Sequence, residues 1–306
     1  LFMQHHQGME LNPPKRRASH MAGIIPVAAS SGEFNLPGHD VLMPVASDFN
    51  LVEAAVAECS YAGCESIWIV CNDDIAPLIK HIVGDWVEDL YTIEKGKYVM
   101  YPKEHHVSIP IYYVPIEPKH RDKYDCYAWS ILHGANVAYW ICRRLGRWTI
   151  PDRYYVSFPF GLTAFEEVKK AKKQLSQAAP YYFSYEGKTV CDGVPLSFTF
   201  DASEWRRARN VVKSNSRSYY PPLEGEGIPT RMLPPEERRK SRHFKLLDVF
   251  KDADLSEAII NELPWFYDLT TWAQYSKLIT SGHCQDIQRP YGFVTGHIST
   301  GEDDSE

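Results

Sequence analysis

The sequence predicts an α/β fold built on a mixed, mostly parallel β-sheet with helices on both faces. Three observations carry this. Apolar residues from Gly23 onward read as a buried strand that runs into the small residues Ala28 to Gly32. From Asn50 to Cys71 the pattern is helix, Ala-Gly-Cys turn, and the apolar strand Ser66 to Cys71, which completes a strand-loop-helix-strand unit. Two parallel strands need a crossover of that length, and a helix is the usual one. Farther on, helical spacing alternates with short runs rich in β-branched and aromatic residues.

The remaining elements follow in order. Leu78, Ile79, Ile82, Val83, Trp86, Val87 and Leu90 share a helical spacing, which predicts one helix from Ala76 to Leu90. Tyr98–Tyr101 and Val107–Ile116 read as strands, and Pro110 and Pro115 put the second at an edge or in an irregular position. Tyr124–Leu145 is a long helix with Ala128, Ile131, Leu132, Ala135, Ala138, Tyr139 and Cys142 on one side, and Gly146 stops it. Tyr154–Phe158 is a strand, after which Thr163 is positioned to cap a helix with Glu166 and Glu167 in its first turn. Lys169, Lys170, Lys172 and Lys173 then read as that helix's wet face. From Ala178 to Phe200 strands return, and Asp201 to Glu204 opens another helix through a capping sequence. Order resumes at Phe244, and Pro264–Leu278 reads as strand, capped turn and helix. We expect a flexible tail over residues 1–21, one domain over 22–298 with a proline-rich long loop at 214–242, and an acidic tail over 299–306.

With 306 residues, 44% of them hydrophobic, the chain can bury one large core. Its net charge of −6 creates no field that would gather nucleic acid or an anionic membrane around the whole molecule, and only local basic patches stay open. The seven cysteines include no Cys-x-x-Cys pair, so they read as free thiols of a reducing compartment and speak against structural zinc. No stretch approaches the roughly 20 apolar residues that cross a bilayer, and no apolar signal-peptide core stands at the N-terminus. The expectation is a cytoplasmic protein without membrane or nucleic-acid partners.

Four stretches, in chain order, resemble motifs of the sugar-nucleotide nucleotidyltransferases, the pyrophosphorylases that join a nucleoside triphosphate to a sugar phosphate. They are Ala28 to Gly32, Cys126 to Ala135, Tyr154 to Gly161, and Trp265 to Tyr275. The resemblance rests on these four short segments, in the same order along the chain, and implies a Rossmann-like sheet of the nucleotidyltransferase (GT-A-like) type. It implies that Ser30, Ser31 and Gly32 meet phosphate, because small residues let backbone N–H groups approach. It also places Ala128 near the base and Asp268 on a Mg2+ ion. The family's pattern is incomplete here. Glu33-Phe34-Asn35 stands where an Arg is expected, Pro37-Gly38-His39 stands for Pro-Lys, and no acid ends the Tyr154–Phe158 strand. His39 is the remaining group there that can touch an anion. Each position also has a plainer reading: a turn kept small for packing at Ala28–Gly32, and a helix charge or cap at Asp268, Thr270 or Thr271.

Three further clusters stand out. Asn72-Asp73-Asp74 follows a strand, where ligands of open α/β sheets collect, and equally suits a helix cap before Pro77. His105 and His106, beside Glu104, point to opposite faces if the segment is extended. Trp205, Arg206, Arg207, Arg209, Lys213 and Arg217, next to Tyr219 and Tyr220, suit a phosphate-rich partner or a solvated helix face. The leading expectation is a divergent nucleotidyltransferase-like protein that binds a nucleotide or nucleotide-sugar and transfers a nucleotidyl group to a sugar phosphate. The alternative is a catalytically inactive fold that serves a protein partner or homo-oligomer through the 214–242 arm. A metal-dependent glycosyltransferase using Asp73 and Asp74 is the third reading.

Overall fold

The computed structural model describes residues 20–298 apart from 29–32, 35, 37, 97–106, 122–125 and 223–226. The strand expected over Tyr98–Tyr101, the His105–His106 pair, the phosphate residues Ser30, Ser31 and Gly32, residues 1–19 and the acidic tail lie outside the described residues.

Strand β1 (Met21–Pro26) leads through the short β2 (Pro44–Ala46) and β3 (Phe49–Asn50) into α1 (Leu51–Ala62). Next come β4 (Ser66–Asn72), α2 (Ala76–Val83), β5 (Trp86–Glu88), α3 (Leu90–Glu94) and β6 (Ser108–Ile116). Helix α4 (Tyr127–Leu145) precedes β7 (Arg153–Val156), β8 (Gly161–Thr163) and α5 (Phe165–Leu175). They are followed by β9 (Tyr181–Ser184), β10 (Phe198–Phe200), α6 (Ala202–Asn215), α7 (Pro235–Lys240) and α8 (Leu246–Phe250). The last elements are β11 (Ile259–Glu262), β12 (Phe266–Asp268), α9 (Trp272–Thr280) and β13 (Thr295–Gly296).

Nine strands form one sheet in the order β11-β9-β10-β7-β1-β4-β6-β5-β13. The central neighbours β7, β1, β4 and β6 are parallel, and only β10 and β5 run against the common direction. The predicted mixed, mostly parallel sheet is therefore present. Strand β1 is buried at every position because both its faces are covered. Met21 and Ile25 join one apolar cluster, which also holds α1 and α5 residues. Ala22 and Ile24 join the other, with α4, α6 and α8. The same alternation recurs in β4, where Ile67, Ile69 and Cys71 face the first cluster and Trp68 and Val70 the second.

Helix α1 starts with a reciprocal capping box between Asn50 and Glu53 and stops at Gly63, whose φ of 89° suits a residue without a side chain. All twelve of its residues are buried, Glu53 and Glu58 included. Helix α4 fits so tightly against β1 and β4 that a Cβ on Gly134 would lie 2.6 Å from Val70 Cγ2 and 3.1 Å from Ile24 Cγ2. Valine and isoleucine branches in a sheet have little room to give. Gly134→Ala is expected to destabilise by about 1–2 kcal/mol despite alanine's better helix propensity. Urea denaturation checks this as a lower midpoint with an unchanged slope.

Several sequence expectations are corrected. The helix predicted to reach Leu90 ends at Val83, because Gly84 turns at φ 85° and Trp86–Glu88 instead pairs with β6. The space at Gly84 is also taken, since a Cβ there would meet Gly296 O at 2.6 Å. Strand β6 is interior despite Pro110 and Pro115. The Ile111 N–H donates to Asp85 O, which directs the alternate nitrogens, Pro115's included, to the side where β5 has already ended. Pro110's nitrogen points toward β4 just before that pairing begins at Ile111. Neither proline therefore removes a ladder bond. Thr163 lies in β8, where its hydroxyl donates to Trp265 O at 3.3 Å, and the N-cap of α5 is Ala164, which offers no side-chain bond. Lys170 and Lys173 are exposed as the wet face, while Lys169 and Lys172 are half-buried: Lys169 bridges Glu94 and Glu166, and Lys172 sits 3.8 Å above the Tyr91 ring, joining α5 to α3. Asp201 caps α6 as predicted, accepting from the Ser203 and Glu204 N–H groups. All seven cysteines are free thiols. Among the described residues no helix is long and apolar enough to cross a membrane.

Candidate active site

Ligands of open α/β sheets bind beyond the carboxyl ends of the strands. At the end of β1 the Val27 and Ala28 N–H groups both donate to Val70 O, at 2.8 and 2.9 Å, so the chain leaves the sheet directly over β4. Past Gly32 it returns to a partner far along the sequence. The Glu33 N–H donates to Thr270 O at 3.0 Å, and Glu33 Oε1 accepts from the Trp272 N–H at 2.8 Å, 239 positions away. The Phe34 ring packs edge-on to Trp272 at 4.7 Å and Tyr275 at 6.1 Å. Glu33 and Phe34, just past the first of the stretches singled out in the sequence, are thus docked on the fourth. Glu33's charge lies at the amino end of α9, where the helix dipole favours an anion.

Asp268 ends β12, opposite Gly161 of β8. Its Oδ1 is buried without a hydrogen-bond partner, and burial holds its carboxyl above the ordinary range although the Thr270 hydroxyl and N–H both oppose this. The capping role falls to Thr271, whose hydroxyl accepts from the Gln274 N–H at 3.3 Å. Asp268 is also near enough to help burial raise the pKa of the Tyr127 phenol at the start of α4. Tyr127 in turn packs edge-on to Phe158 at 5.3 Å, and Phe158 stacks on Phe198. An aromatic ring, 1% exposed, therefore fills the end of the β7 strand. The backbone there still follows the β1 ladder, since the Ser157 N–H donates to Ile24 O at 3.1 Å.

On the β4 side, His39 Nδ1 accepts from the Val41 N–H at 3.2 Å and caps a short helical turn. Burial lowers its pKa against the opposing pull of Asp40 and Asp74, so the ring favours its neutral form and offers an anion only an Nε2–H. Asp73 and Asp74 both pair with Arg121, at 2.5 and 3.1 Å. Ala128 is wholly buried in the apolar cluster that also contains Ala28 and Trp129. Among the described residues, no three His, Cys, Asp or Glu side chains converge as a metal site.

No family model matches the chain, and no curated protein sequence does. Solved structures do match. A Bacillus anthracis protein described as a glucose-1-phosphate thymidylyltransferase, in complex with a sucrose, superposes with a TM-score of 0.52 at 11% identity, covering 88% of this chain and 97% of that one. The fold is that of the sugar-nucleotide nucleotidyltransferases. A UDP-glucose pyrophosphorylase complexed with UDP-glucose gives a TM-score of 0.47 at 12% identity, over 85% of this chain and 97% of that one. At such identities the likeness concerns the nucleotidyltransferase fold alone.

Within this nucleotidyltransferase fold the structure ties Glu33 to Thr270, two residues past Asp268, and leaves His39 near Asp74 on the β4 side. Sequence reasoning missed three residues. Glu33 was read as a departure from an expected cation, yet it anchors α9. Arg121 carries the cation next to Asp73 and Asp74, and nothing in its local sequence announced that pairing. Tyr127 opens α4 within the second stretch, and it lies near enough to Asp268 to feel its charge.

Proposed function

We propose that the chain is a divergent nucleotidyltransferase-like protein that binds a nucleotide or nucleotide-sugar in the crevice over Ala28 and Asp268. The observation that carries this reading is the unpartnered, buried Asp268 Oδ1 beside the docked Glu33–Phe34 and Thr270–Tyr275 wall. A buried carboxylate oxygen without a donor costs folding free energy, and such costs cluster at functional sites. Ser30, Ser31 and Gly32 would meet the phosphates, and His39 would donate a single hydrogen bond from the β4 side. A Mg2+ ion that arrives with phosphates needs only one or two protein carboxylates, and Asp268 fits as one. When bound, the ion would offset phosphate charge. The chain's own share in transferring a nucleotidyl group to a sugar phosphate would be to align the attacking oxygen with the α-phosphorus and to hold both substrates. Calorimetric titration with nucleoside triphosphates and Mg2+ tests this, and an absence of heat at millimolar ligand removes it.

A second reading is favoured by Phe158. Its ring stands at the strand end where the resembled family has an acid, and its packing on Tyr127 and Phe198 suits a fold kept without catalysis. That reading predicts a partner or homo-oligomer held through residues 214–242. Light scattering that shows only monomers, unchanged when the arm is deleted, counts against it. The glycosyltransferase reading has the least support, because Asp73 and Asp74 are engaged by Arg121.

A further inference from the structure

Helix α4 packs on the central strands β1 and β4, and its far end lies about 28 Å from the start near Asp268. There Trp140, Ile141 and Leu145 are 49%, 38% and 69% exposed, and Trp148, just past Gly146, is 76% exposed. Arg143, Arg144 and Arg147 stand among them, all exposed. No Asp or Glu occurs from 126 to 151. Single exposed apolar residues are ordinary, but a contiguous set interleaved with cations marks a contact surface. Helix α6 extends it: Arg206, Arg209 and Lys213 are exposed, and Arg209 lies 4.9 Å from the Trp205 ring centre. A cleft of about 230 Å³ joins the two helices, with Tyr139, Trp140, Trp205, Arg206 and Arg209 in its lining. The basic and aromatic cluster noted in the sequence is thus one half of a larger patch, which the net charge of −6 conceals.

We infer that this patch rests on an anionic phospholipid surface. The arginines complement acidic headgroups, and the tryptophans and aliphatic side chains suit the boundary between headgroups and acyl chains. The cleft between α4 and α6 gives a headgroup phosphate two guanidinium partners. A second copy of the chain fits less well, because a two-fold contact would set this patch against itself with no carboxylate from 126 to 151 to answer the arginines. A nucleic acid would engage the arginines and rings but leave Ile141 and Leu145 in water. The inference is independent of nucleotide binding.

The test is flotation of the full chain with phosphatidylcholine vesicles, with and without phosphatidylglycerol. Binding is expected only with phosphatidylglycerol, and it should fall as salt is raised. The triple substitution Arg143→Ala, Arg144→Ala and Arg147→Ala should weaken it on the order of 100-fold, each arginine near the surface contributing roughly tenfold or less. Matching circular dichroism spectra establish that the variant is folded, and the salt series on the unaltered chain needs no variant. Failure of the unaltered chain to bind the acidic vesicles overturns the inference, as does equal binding to neutral ones. So does a triple variant that floats like the parent. Loss of self-association or of single-stranded oligonucleotide binding in that variant, without any vesicle binding by the parent, assigns the patch to those partners instead.

Discussion

Glu58→Leu is expected to cost the fold roughly 3–9 kcal/mol, from stranding three buried hydroxyls at about 1–3 kcal/mol each. Glu58 sits in the middle of α1, 4% exposed, and accepts hydrogen bonds from the Tyr155, Ser157 and Ser197 hydroxyls, that from Ser157 at 2.9 Å. These donors come from β7, the turn after it and the segment before β10, so one carboxylate ties α1 to the sheet at three places. Leucine fills the volume but offers no acceptor. Glu58→Gln keeps an acceptor oxygen and should cost distinctly less.

The same residue makes stability depend on pH. Burial raises the Glu58 pKa above its ordinary 4.5, and the three hydroxyl bonds only partly oppose this. A carboxyl with a raised folded-state pKa contributes its full stability below the ordinary value and loses it as pH climbs through the folded one. Glutamine does not titrate. The stability gap between the unaltered chain and Glu58→Gln should therefore shrink as pH rises above about 4.5, read from paired urea denaturation curves. A gap that widens with pH contradicts the assignment.

The second large effect carries opposite signs in two assays. Asp268→Asn should stabilise the protein by about 1–2 kcal/mol, because a buried carboxylate with an unpartnered oxygen is replaced by a neutral amide. It should also weaken nucleotide binding in Mg2+ on the order of 100-fold, since it removes a buried charge from the ligand's side of the crevice. A purely structural Asp268 would show the first change alone. Thermal unfolding and calorimetry on the same two samples separate the cases.

Much of this architecture is legible in the chain because its signals are local. The apolar run after Gly23, the capped helix at Asn50 and the strand at Ser66 each declare themselves within a few residues, and parallel pairing follows from the crossover length. Trp265–Tyr275 likewise shows its strand, cap and helix in sequence. The misreadings share a cause. Trp86, Val87 and Leu90 continue a helical spacing by coincidence, and only the chain crossing at Gly296 shows why Gly84 must turn. Pro110 and Pro115 look disruptive until the staggered ends of β4 and β5 are known. In the site, Glu33's role depends on a contact 239 positions away, and Arg121's on a pairing with Asp73, 48 positions away. Letters that depart from a motif can be read as losses from sequence alone, while their new work is visible only once distant segments meet.

The central claim is that the segment after β1 and the stretch from Trp265 to Tyr275 together receive a nucleotide. Hydrogen–deuterium exchange with and without a nucleoside triphosphate and Mg2+ addresses it most directly. The expected result is slower exchange in both segments, around Ala28 to Phe34 and around Thr270 to Tyr275, with the far end of α4 unchanged. Unaltered exchange in both, or protection confined to α4 and α6, would contradict it.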